Sequence, residues 1–159
     1  MNPDSNLTAL ARNNRTCMIA HTATAGVMLL LLFLQAATRG INPAVLTISC
    51  ILGIAPVAAE LLYWRKNHET TAIRHLVGNG FAVFFTFYIY TSTTFMASVF
   101  VIPMIVVISL YNNKKFSLLV NTGVVIETII LAVIGIQSGK YSYPDSDTAI
   151  IHVIFVILV

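Results

Sequence analysis

Six hydrophobic runs, separated by short polar breaks, constrain this chain more than any other feature. They cover about residues 16–37, 43–64, 75–90, 95–111, 116–137 and 148–159. A helix that crosses a bilayer needs about 20 mostly apolar residues, within a range of roughly 17–25. Five runs are near or above that length. The last has 12 residues, which as a helix would rise roughly 18 Å against a hydrocarbon core of about 30 Å. The pattern predicts an all-α, polytopic transmembrane helix bundle of six crossings. The sixth crossing is expected to be truncated, as in a fragment of a longer protein.

Composition supports this reading. Charged residues make up 9% of the chain and hydrophobic residues 57%, with a mean hydropathy of +0.84. Soluble domains carry about 25% charged residues, so this chain has too few to coat a water-facing surface. The nine basic residues sit in the breaks, not in a stripe, which argues against a nucleic-acid partner and for a lipid bilayer. With the N-terminus in the cytoplasm, the inner segments hold Arg12, Arg15, Arg65, Lys66, Arg74, Lys114 and Lys115, and the outer loops hold Arg39 and Lys140. That bias sets the expected orientation. Residues 1–15 form a cytoplasmic tail, and 16–159 form a multi-pass domain of the inner (plasma) membrane. The first run is too long for the apolar core of a signal peptide. Asn6-Leu7-Thr8 and Asn14-Arg15-Thr16 match the glycosylation pattern, but on the cytoplasmic side they are chance matches.

Ionisable groups at membrane depth are costly and draw attention first. Glu127 lies about ten residues into the fifth run. It is expected to face the bundle interior, as a responsive group or as a neutral carboxyl bonded to a neighbouring helix. Glu60, His21 and His75 should share one layer near the inner face. A Glu–His hydrogen bond there would satisfy both groups and could respond to pH near neutrality. The plainer reading has each side chain reaching out to interfacial water. Pro56 and Pro103 each interrupt a run near its middle, where a proline frees a carbonyl and kinks a helix.

Enzymatic signatures are missing from the sequence. There is no HExxH, no CxxC, no clustered Glu-x-x-His and no glycine-rich phosphate loop. His21 and His75 offer the minimum for a haem between helices, but they lie near helix ends. No cofactor, no metal and no catalysis are expected. Cys17 and Cys50 should lie in opposite leaflets, too far apart for a disulfide.

One stretch carries a family resemblance. An aromatic-rich run ends at Tyr90-Thr91-Ser92. A second run has Ile102-Pro103-Met104 at its core and ends in Leu110-Tyr111. The turn Asn112-Asn113-Lys114-Lys115 leads into the next run. This order resembles the N-terminal membrane region of clostridial-type methyl-accepting chemotaxis proteins. The resemblance implies six crossings, a homodimer and a cytoplasmic coiled-coil signalling domain after the membrane region, through which chemotaxis partners would act. Similar membrane modules precede diguanylate cyclases and histidine kinases, so those outputs stay open. A small transporter subunit is the rival outside signalling. The resemblance brings no ligand residues with it.

Overall fold

The computed structural model describes residues 8–92, 99–111 and 113–138, and these form five helices with no strand among them. They are α1 (Ala9–Arg39), α2 (Pro43–Lys66), α3 (Ala72–Thr91), α4 (Val101–Ser109) and α5 (Lys114–Ser138). Among the described residues α1, α2 and α3 are long and apolar enough to cross a membrane. This marks an α-helical membrane protein. The sixth hydrophobic run, 148–159, and the loop before it from residue 139 lie outside the described residues.

Local chemistry sets most helix ends. Asn42 caps α2 by accepting from Ala44 N at 2.9 Å, and Pro43 occupies the first turn, where its missing N–H costs nothing. Asn113 Oδ1 accepts from Phe116 N at 3.1 Å and opens α5. Gly40 ends α1 at φ 72°, a left-handed backbone that favours glycine.

The helix bounds depart from the hydrophobic runs by a few residues, and α1 departs the most. Helix α1 begins at Ala9, seven residues before the apolar run, because Thr8 Oγ1 accepts from Ala11 N and starts the helix in polar sequence. Of the run 95–111, residues 95–98 lie outside the described residues and α4 covers the nine residues Val101–Ser109. Pro103 is the third of these nine and lies in the first helical turn. There its lack of a donor breaks no intrahelical bond, so it does not kink the described helix. Pro56 does sit inside its helix.

Helix α3 is the hub. It packs against α2, α1, α4 and α5, while α1 also borders α2 and α4, and α4 borders α5. Its inner face carries Ile73, Val77, Phe81, Phe84, Phe85 and Tyr88, all buried. Phe81 stacks on Phe85 at 5.3 Å between ring centres, and Tyr88 meets Phe100 edge-on at 6.0 Å. The outer surface is apolar as well: Leu30, Ile51, Leu62 and Val83 are more than half exposed, as a lipid-facing surface requires. Hydroxyls on the helices are satisfied locally. Thr24, Ser49, Thr86 and Thr128 each donate to the carbonyl four residues back at 2.8 Å.

Small residues let α3 approach its neighbours. A Cβ on Gly80 would lie 2.5 Å from Pro56 Cβ, and one on Gly78 would lie 2.6 Å from Phe116 Cζ. Two glycines on different faces of α3 thus admit α2 and α5 at close range. At the same end of the bundle, Asn13 Nδ2 donates to Leu110 O at 2.7 Å, and Asn14 Nδ2 donates to His68 O and Thr70 O at 2.9 and 3.0 Å. These bonds gather the start of α1, the α2–α3 connection and the end of α4. Arg12, Arg15, Arg65, Lys66, Arg74, Lys114 and Lys115 collect at that one end.

Candidate functional site: a buried polar cluster

Helix α1 presents a buried stripe at helical spacing: Asn14, Cys17, His21, Thr24, Met28 and Leu32. Its first four members are polar or ionisable, in a protein whose other buried faces are mainly hydrocarbon. His21 reaches α2, where its Nδ1 lies 2.6 Å from Glu60 Oε1, and both side chains are 0% exposed. The proton of that short bond sits on one partner or the other, and either arrangement is a good hydrogen bond. Phe81 of α3 covers the imidazole edge-on, at 6.1 Å between centres.

The pair is incomplete. Among the described residues His21 Nε2 and Glu60 Oε2 have no hydrogen-bond partner, and neither has Asn14 Oδ1. Buried polar atoms are almost always paired, so a spare atom on each partner of one buried bond is a feature to explain. Cys17, one turn from His21, donates to Val107 O at 3.4 Å, and its thiol lies beside the Tyr111 hydroxyl. The cluster therefore joins α1, α2 and the end of α4.

Of the residues singled out in the sequence, His21 and Glu60 come together inside the bundle, not at its watery edge. His75 stands apart. It lies edge-on to Phe116 at 5.4 Å and borders a groove between α2 and α3. A haem held by His21 and His75 does not fit this placement, since His21 is closed in by Glu60 and Phe81. Glu127 sits at another level, about 20 Å along α5 from its start. It is half-buried against the Thr86 hydroxyl of α3, with Oε1 unpartnered among the described residues. Pro103 is exposed and takes no part in the cluster's hydrogen bonds, although it lies one turn from Val107 on the same helix. Among the described residues no group of three or more His, Cys, Asp or Glu could hold a metal. Both cysteines are free thiols.

Asn14, Cys17 and Tyr111 belong to the cluster but were not among the candidates. The spacing of Asn14, Cys17 and His21 carried the signal, because three and four residues apart is one helix face. Asn14 lies in a stretch too polar to read as a membrane helix, which hid its place.

No family model matches this chain, and no curated protein or solved structure is similar to it.

Proposed function

We propose that the chain is the membrane-embedded sensory domain of a chemotaxis-type signal transducer, inserted in the plasma membrane with its basic end in the cytoplasm. The observation that carries this reading is the His21–Glu60 junction. It is a buried, protonatable bond between two helices, with one polar atom left over on each partner. A junction with spare capacity can be satisfied by more than one packing, and a transducer needs two packings that a stimulus can bias. The motif order from Tyr90 to Lys115 supports the family, and the bias of basic residues supports the orientation.

In this reading six helices cross the bilayer, the domain works as a homodimer, and it catalyses nothing itself. The signal passes to a cytoplasmic domain that engages the chemotaxis machinery. The test is kinase output from the full gene, or from this domain joined to a chemoreceptor signalling domain. Glu60→Gln keeps the shape but removes the ionisable carboxyl, and it should lock output in one state. Glu127→Gln should act more weakly. Wild-type responses from Glu60→Gln across stimuli, with insertion intact, would end the proposal. A reporter fused at residues 67–71 that registers outside the cell would reverse the orientation.

A further inference from the structure

A second site lies on the other side of the Pro56–Gly80 contact. There α2 and α3 leave an open groove of about 710 Å³ between them, floored in part by Pro56 and Gly80. This is within the range of small-molecule sites, roughly 300–1,000 Å³. Ala55, Ala59 and Tyr63 form one wall, and His75, Asn79 and Val83 form the other.

The groove is apolar along its length and polar at one end. His75 and Asn79 are one helical turn apart, about 6 Å along the axis. Both side chains are exposed on the outer surface of the bundle. Asn79 is the eighth residue of a helix apolar enough to cross a membrane. Its amide has no hydrogen-bond partner among the described residues. An amide facing lipid with nothing to bind is costly, so its place in the groove points to an outside partner. Beyond His75 stand Arg65 and Lys66, the last two residues of α2, and Arg74, whose guanidinium lies over the Phe116 ring and reaches His75 Nε2 at 3.4 Å; one acid, Glu69, sits in the same connection.

We propose that this groove binds one anionic phospholipid. An acyl chain fills the apolar length beside Ala55, Ala59 and Val83. The phosphate meets His75 and the basic end, and an ester carbonyl, which lies deeper than the phosphate, accepts from the Asn79 amide. Two polar tiers one turn apart match a phospholipid, which has acceptors at two depths; a free fatty acid has acceptors at one. Charge complementarity selects an anionic head over a zwitterionic one. This proposal is independent of the signalling reading.

The test is native mass spectrometry of the full chain released from nanodiscs of mixed phosphatidylglycerol and phosphatidylcholine. One phosphatidylglycerol should stay bound per chain, at least threefold in preference to phosphatidylcholine. Asn79→Leu and His75→Ala should each cut that preference severalfold, with helical circular dichroism unchanged. Ala59→Phe should block retention. Ala23→Phe, on α1 in a separate groove between α1 and α2, should not. Equal retention of the two lipids would overturn the proposal, and so would unchanged retention in both polar variants. A lipid-free dimer that Asn79→Leu converts to monomer would also overturn it, by showing that a second copy occupies the groove.

Discussion

The ring of Pro56 fills the space that a side chain on Gly80 would need. A Cβ there would come within 2.5 Å of Pro56 Cβ and 3.6 Å of His21 Cε1. The α2–α3 contact and the His21–Glu60 bond are thus two faces of one packing, and α3 cannot retreat from Pro56 without loosening its hold on His21.

Gly80→Ala should therefore destabilise the bundle by about 1–3 kcal/mol, the usual cost of overpacking. Gly26 provides the control, since a Cβ there meets nothing within 4 Å. Gly26→Ala should be neutral or stabilising by up to about 1 kcal/mol, from helix propensity alone. Unfolding in mixed micelles measures both, and equal effects would refute the close contact.

Breaking the buried pair on one side should cost more than removing it. Glu60→Leu leaves His21 without its partner, and His21→Leu leaves Glu60 likewise, each at a cost of about 3–5 kcal/mol. The double variant replaces both with hydrocarbon and should recover much of the loss. A double-mutant cycle checks this. Additive losses would show that the two groups do not depend on each other.

Asn14→Ala removes the donor shared by His68 O and Thr70 O. A loss of about 1–2 kcal/mol is expected, together with faster proteolysis at residues 67–71 than elsewhere. Unchanged cleavage there would mean that Asn14 does not hold the connection. Burial and these bonds also remove Asn14 as a glycan acceptor.

Gly78→Ala forces the Phe116 ring away from α3, because the new Cβ would lie 2.6 Å from Cζ. The ring is a side chain and can be trimmed. Phe116→Leu in the Gly78→Ala background should restore part of the stability, while in the wild type it should only lose packing. The sign reversal is the readout.

The helices were legible where apolar length and a cap coincided. Pro43 after Asn42 fixes the start of α2. Helix α5 begins two residues ahead of its apolar run, because Asn113 caps it before Lys114 and Lys115, which hydropathy reads as a turn. Hydropathy could not show that α1 begins at Ala9, because it reports which residues suit lipid, and a helix can continue past the membrane through Arg12 and Arg15. The shared layer of Glu60 and His21 could be read by counting residues from helix ends. Their full burial could not, since it depends on Phe81 closing over the imidazole and on Gly80 bringing α3 close. Asn79 was missed because one amide inside a run scores as a minor interruption. Its exposure on the groove emerges only from how α2 and α3 pack together.

The amides of Asn13 and Asn14 have a mechanical consequence. They fasten one helix end to the α2–α3 connection and to the close of α4 at once. A pull along the axis of α1 is therefore shared among four helices from its first ångström, so the assembly slides as a block or not at all. Displacement arriving at that end would be transmitted as tilt or rotation, with little lengthwise travel of a single rod.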